Sequence, residues 1–239
     1  MEKINVAERP QIDTAAAWQA YWEKTAKLST PILWNTPSEI ASERDLPRFQ
    51  HLMNPELPLI DFACGHGNQA YFLAQHFPRV MGVDVSASAI ELAQAQYGAP
   101  NIEYRVLDAL KPEQAAALHA EIGDSNIYMR TGFHHICPEK RDTFAQSLHT
   151  LLGKQGILYL FELGDGGDEY VGSMVDRYEV QLVVQHGLRP GAITQQEVAR
   201  YFADYEVLDS GKDTLQPVVR FENGEAAQIP AFYAVLRRK

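Results

Sequence analysis

The chain has 239 residues, 46% hydrophobic, 22% charged and 10% aromatic, and that composition, spread along its length, excludes disorder as the main state. Its formal charge of −10 argues against a nucleic-acid partner, whose phosphates need cations, and its longest apolar run, Ala231–Leu236, is far short of the roughly 20 residues that span a membrane. The opening residues lack the apolar stretch of a secretory leader, and the two cysteines, Cys64 and Cys137, show neither a disulfide framework nor zinc spacing, so a cytoplasmic protein with reduced thiols is expected.

Residues 1–56 differ from the remainder: they hold Trp18, Trp22 and Trp34 and a scatter of prolines, and read as an N-terminal helical cap or lid. Asp13 or Thr14 can cap a helix running to about Lys27, on which Trp18, Tyr21, Trp22 and Thr25 fall at i, i+3, i+4 and i+7, one face. A short helix follows near Glu43–Met53.

Residues 57–239 read as one α/β unit, compact with the cap. Strands are expected at Leu59–Ala63, Val80–Val85, Ile102–Val106, Asn126–Met129 and Ile157–Leu163. Helices are expected between them at Gln69–His76, Ala87–Gln96, Pro112–Ile122 and Pro138–Leu152. Such alternation gives βαβ units and a parallel sheet. Beyond it come a helix over Glu169–Gln185, another opening at Thr194, and two strands, one from Tyr205 through Leu208 towards Val219 and one over Ile229–Arg238. With no helix between them, those two form an antiparallel pair at the sheet edge.

The informative stretch is Leu59-Ile-Asp-Phe-Ala-Cys-Gly-His-Gly-Asn-Gln-Ala70. Glycines 65 and 67 lie between a strand and a helix, where an open α/β sheet binds nucleotide-like ligands. Gly65 allows a tight turn and Gly67 a close backbone approach to the ligand. Asp61 decides which ligand. A carboxylate there repels a pyrophosphate, and no lysine or arginine lies between residues 61 and 76 to offset it. A phosphate-free, cationic nucleoside fits, and S-adenosylmethionine is one. Asp84, ending the second strand, can accept both ribose hydroxyls, and Asp108, ending the third, can accept an adenine amino group. Each acid alone could merely cap the next helix. Three at consecutive strand ends around a glycine loop form a far more specific pattern.

On these residues the stretch Leu59–Leu163 resembles the core of class I S-adenosylmethionine-dependent methyltransferases of the small-molecule type. It has the acid-x-x-x-Gly-x-Gly loop, the Gly82-Val-Asp-Val-Ser86 turn, the third-strand Asp108 and Leu151-Leu-Gly-Lys-Gln-Gly-Ile157 before the fifth strand. The resemblance implies a Rossmann-like, mostly parallel seven-stranded sheet with an antiparallel C-terminal edge pair. It implies S-adenosylmethionine as cofactor, held by Asp61, Ala63, Cys64, Gly65, Gly67, Asp84, Val85, Asp108, Ala109, Arg130 and His135. His66 stands at a variable loop position.

Methyl transfer to a hydroxyl needs a base for its proton. The segment Tyr128-Met-Arg-Thr-Gly-Phe-His-His-Ile-Cys-Pro-Glu139 follows the fourth strand, and His134 matches the histidine that deprotonates the acceptor in plant and bacterial small-molecule O-methyltransferases. The alternative is that both histidines pack in a polar loop. No acid ends the fourth strand, so no metal is expected. Trp18, Tyr21, Trp22, Trp34 and Tyr170 are the candidates for contacting a small-molecule acceptor; the first four could equally be a helix packed on the sheet rim. N-, S- or C-methylation, and a reaction using the cofactor's charge without consuming it, stand as alternatives. The sequence names neither the acceptor nor the oligomeric state.

Overall fold

The computed structural model describes residues 13–26, 37–38, 40–174, 176, 178–188, 191, 193–217 and 226–239, without the side chains of 178 and 179. Trp34, the expected helix end at Lys27 and the strand extension to Val219 lie outside these residues.

Helix α1 spans Thr14–Thr25, opened by Asp13, whose side chain accepts from the backbone N–H groups of Ala15 and Ala16. Helix α2 is Ser42–Phe49, shorter than the expected Glu43–Met53. The parallel strands are β1 Leu59–Phe62, β2 Val80–Asp84, β3 Ile102–Val106, β4 Asn126–Arg130 and β5 Ile157–Leu163. The helices that follow the first four are α3 Asn68–Leu73, α4 Ala87–Gln96, α5 Pro112–Ile122 and α6 Arg141–Leu152. Ser86 caps α4, accepting from Ala89 N–H. Pro112 opens α5, where its missing N–H is harmless.

Beyond β5 the expected single helix over Glu169–Gln185 is two, α7 Gly167–Ser173 and α8 Tyr178–Gln185. Gly172 and Ser173 are weak helix formers, and at Met174 the backbone (φ −101°, ψ 13°) has left helical geometry. Helix α9, Gln195–Tyr201, starts at Thr194 with a full capping box to Glu197. Strands β6 Tyr205–Leu215 and β7 Ile229–Arg238 pair antiparallel over ten positions, with a bulge between Val207 and Asp209.

One seven-stranded sheet results, in the order β3-β2-β1-β4-β5-β7-β6. The strand order reverses between β1 and β4, which places the ligand crevice at their carboxyl ends. All seven residues of β5 are buried, as a central strand covered on both faces requires. One face packs Ile60, Phe62, Met81, Met129, Leu158 and Leu160 against α5 and α6. The other packs Leu59, Tyr128, Tyr159 and Phe161 against α1 and α2 through Tyr21, Trp22, Leu46 and Phe49, so the N-terminal helices share the sheet's own core. No helix among the described residues is long and apolar enough to cross a membrane.

Candidate active site

A cleft opens at the carboxyl ends of β1–β4. It is lined by Asp61, Ala63, Cys64 and Gly65 from the first loop, Asp84 and Val85 from the second, Asp108 and Ala109 from the third, and Arg130 and His135 from the fourth. Ten of the eleven residues expected to hold a cofactor therefore meet in one place. Gly67, the eleventh, is not in the wall. Its φ of +89° starts α3, and a Cβ there would come within 2.7 Å of the Tyr104 hydroxyl and 2.8 Å of Ala93. Its missing side chain makes room for protein, not for ligand as expected.

The loop takes its shape from strained and braced backbone. Ala63 (φ +62°) and Thr131 (φ +58°) are the described non-glycine residues in the left-handed region. They lie just past β1 and β4 and both face the cleft. Such conformations cost of order 1–3 kcal/mol each and cluster where function requires them. Tyr104, on β3, donates its hydroxyl hydrogen towards the carbonyls of Gly67 (3.2 Å) and Tyr97 (2.9 Å), pinning the loop. Its ring crosses β2 where Gly82 has no side chain; a Cβ there would lie 2.5 Å from the ring.

The acids share one design. Asp84 accepts from Gly65 N–H (3.0 Å) and Ser86 N–H (2.9 Å), binding the second loop to the first. Burial pushes its carboxyl up to about 6 against those stabilising bonds. Asp108 accepts from Leu110 N–H at 2.9 Å, with Lys111 Nζ 3.4 Å from its other oxygen. Asp61 is 3% exposed, and its Oδ2 has no hydrogen-bond partner. Burial raises its carboxyl to about 8, opposed by the Ala70 backbone N–H and reinforced by the charge of Asp84. A buried carboxylate oxygen with no donor is suited to an ammonium group. The donor set thus fits S-adenosylmethionine: acids for an ammonium, a ribose and an adenine amine, and Leu107, Leu110, Ile136 and Phe144 as apolar wall.

Helix α1 forms another wall through Thr14, Ala15, Trp18 and Trp22. Trp22 lies against Gly65, where a Cβ would come within 2.8 Å of its ring, and stacks on His66 at 5.9 Å. Burial lowers His66 to about 4, so it is neutral. Trp18 meets His135 edge-on at 4.8 Å. Gln19 ties the helix to the start of α4, donating to Ser88 Oγ (2.7 Å) and accepting from Ser86 Oγ (3.0 Å). Tyr21 does not line the cleft: at 1% exposure it belongs to the core, because the cleft-facing stripe runs through 14, 15, 18 and 22. Tyr170 does not line it either; its hydroxyl accepts from Gln228 N–H at 3.2 Å.

The histidine loop is organised by a residue that sequence reasoning missed. Glu162 on β5, fully buried, accepts from the backbone N–H groups of Gly132 (3.0 Å), Phe133 (2.8 Å) and His134 (3.2 Å), and its Oε2 lies 2.7 Å from His134 Nδ1. Burial holds its carboxyl up at about 7 against these bonds. The available signal was one acid inside the apolar run Ile157–Leu163. His134 is 2% exposed and stands behind the wall; His135 faces the cleft, the two rings 4.1 Å apart. Arg130 has its guanidinium Nη1 2.6 Å from Asp45 Oδ2 and its Cζ 3.8 Å from the Phe161 ring centre. No group of three or more His, Cys, Asp or Glu among the described residues is placed to hold a metal ion.

The chain matches the family model for a methyltransferase domain over residues 59–156. It is 51% identical to a SAM-dependent methyltransferase from Anabaena variabilis ATCC 29413 of known crystal structure, over 100% of both chains, with a TM-score of 0.95. The magnesium protoporphyrin IX methyltransferase of Synechocystis PCC 6803, solved with bound SAH, is 13% identical, with 94% of this chain and 96% of that one covered and a TM-score of 0.59. A protein solved in work on the conversion of a disulfide into a thioacetal during echinomycin biosynthesis is 17% identical over 94% and 93%, with a TM-score of 0.67. No curated protein matches the chain.

Proposed function

The chain belongs to the SAM-dependent methyltransferases, and on that premise we propose that it methylates a small-molecule acceptor at a hydroxyl oxygen, with His134 as the base. S-adenosylmethionine, when bound, supplies an electrophilic methyl group on a positively charged sulfur. Asp61, Asp84, Asp108 and the backbone around Ala63–Gly65 would hold it at the strand ends. Trp18, Trp22 and His135 give the neighbouring wall an aromatic surface suited to an apolar or aromatic acceptor.

The observation that carries the reading is the His134–Glu162 pair. A carboxylate 2.7 Å from Nδ1 orients the ring and favours the tautomer with its proton on that nitrogen. It also stabilises the imidazolium formed when the ring takes the acceptor's proton. In O-methylation the imidazole would take and keep the proton that the acceptor hydroxyl gives up.

A second reading assigns the proton to His135, because that ring faces the cleft and His134 stands behind it. Both are tested by incubating the protein with methyl-labelled cofactor and a panel of phenols, following S-adenosylhomocysteine release. His134→Gln is expected to lower turnover by roughly 10²–10⁴ with cofactor affinity kept. Equal turnover in His134→Gln and wild type, with loss in His135→Gln, transfers the role to His135. Unchanged turnover in both variants sinks the base assignment.

A further inference from the structure

We infer that Thr131 is a specificity-determining residue of the acceptor site, held in a costly backbone conformation because its side chain packs on the bound acceptor beside the point of methyl transfer. The inference rests on the small-molecule reading above, but not on which atom of the acceptor is methylated.

The chain needs a left-handed residue at this position. Arg130 is the last residue of β4 in register with β5, opposite Phe161. One step on, Thr131 N–H still donates to the Phe161 carbonyl at 2.7 Å. The next three N–H groups, of Gly132, Phe133 and His134, have turned to Glu162. The φ of +58° at Thr131 makes that turn. Glycine or asparagine takes such an angle readily, and a β-branched residue takes it only at a penalty. The glycine beside it, Gly132, stands at an ordinary φ of −96°.

The two left-handed residues of the cleft differ in what their side chains gain. Ala63 packs on protein, since a Cβ on Gly132 would lie 3.4 Å from its methyl group. Thr131 is half-buried, and among the described residues its hydroxyl makes one hydrogen bond, donated to the carbonyl of its own neighbour Arg130 at 2.7 Å. That bond uses the hydroxyl's hydrogen and leaves the oxygen able to accept. Strained conformations persist where the surroundings over-determine them, and the protein supplies this side chain with little. What remains to contact it is the molecule in the cleft, which it lines. Its place is on the acceptor's side. The acids that suit the cofactor stand at the ends of β1, β2 and β3, whereas Thr131 follows β4, across the reversal of strand order. His135 lies four residues on, and Trp18 meets that ring edge-on.

Three variants separate strain from contact. Thr131→Asn and Thr131→Gly relieve the angle, and Thr131→Val keeps the branch and removes the hydroxyl. They are compared with wild type on phenols, anilines and thiophenols of graded size. Acceptor binding beside S-adenosylhomocysteine is read by the fluorescence of Trp18 and Trp22, and turnover as kcat/KM. Thr131→Asn should raise the thermal midpoint by roughly 2–4 °C, the sign of released strain, and Thr131→Val should not. Both relieving variants should lower kcat/KM for the preferred acceptor by roughly 10- to 100-fold and change the order of preference across the panel. S-adenosylhomocysteine affinity should stay within about threefold. Turnover by anilines or thiophenols and not by phenols overturns the hydroxyl reading and leaves this inference standing if the order of preference still changes. An unchanged order of preference in both relieving variants overturns the inference. So does a loss of S-adenosylhomocysteine affinity as large as the loss of acceptor binding, which assigns the side chain to the cofactor. A thermal midpoint lowered in both Thr131→Asn and Thr131→Gly overturns it as well, because the residue then serves the fold.

Discussion

The two halves of the cleft are built differently. On the β1–β3 side the acids are bound by nearby backbone: Asp84 by Ser86 two residues on and by Gly65 nineteen residues before, Asp108 by Leu110. On the β4–β5 side every important side chain is held by a distant partner. His134 reaches Glu162 across 28 residues, Arg130 reaches Asp45 across 85, and Arg48 reaches Asp213 across 165. The first half is a local device repeated at three strand ends. The second is assembled by tertiary packing.

The sharpest way to separate the halves is Glu162→Gln. It strikes the histidine loop alone, so methyl transfer should fall by roughly 10²–10⁴ in single-turnover assays while S-adenosylhomocysteine affinity stays within about threefold. A matching loss of affinity would show that the halves are not independent.

Asp61→Asn is the reverse experiment, with roughly 10- to 100-fold weaker cofactor binding expected. Here pH sharpens the result. The Asp61 carboxyl is raised from 3.8 to about 8, Asp84 from 3.8 to about 6 and Glu162 from 4.5 to about 7, each first by burial. A raised carboxyl favours the folded state below its unfolded value, and that contribution is lost as pH rises through the folded one. On account of these three groups the ligand-free protein loses stability between about pH 4 and pH 8. Asp61→Asn should remove the upper part of that decline, giving a higher thermal midpoint than wild type at pH 8. An ammonium arriving beside protonated Asp61 expels its proton. The enthalpy of cofactor binding near pH 7 should therefore depend on the buffer's ionisation enthalpy in wild type and not in the variant.

Smaller effects probe the braces. Tyr104→Phe removes the hydroxyl that holds Gly67 and Tyr97, at about 1 kcal/mol per bond, and calorimetry should show cofactor affinity lowered by roughly 5- to 10-fold. Gln19→Ala unties α1 from Ser86 and Ser88 and should lower affinity only by roughly two- to fivefold in the same titration, since the aromatic face of the helix stays buried.

The same division explains what could be read before folding. Alternating apolar runs and helices announced β1–β5, and the strand-end acids with Gly65 announced the acid-lined wall of the cleft, because each signal is confined to a few neighbouring residues. Glu162, Asp45, Tyr104 and Gln19 gave no such notice. Their partners are 28, 85, 37 and 69 residues away, and only tertiary packing brings them together. The α7–α8 break is hidden in the sequence because apolar spacing continues through Gly172, where helix propensity fails. Tyr21 faces the core and not the cleft, because a helical face fixes which residues turn inward together, not which neighbour they meet.

The ties from α2 to the hairpin reach further than any others in the cleft's surroundings: Arg48 to Asp213, and Arg44 to the carbonyl of Thr214 across 170 residues. On the ribosome, α2 emerges long before β6 exists, and contacts at such separation form late. A nascent chain that has already made its parallel strands still lacks the brace behind Asp45 and Arg130. The seat of Arg130 is therefore a mark of the finished fold, completed when the last hairpin closes on the first helices.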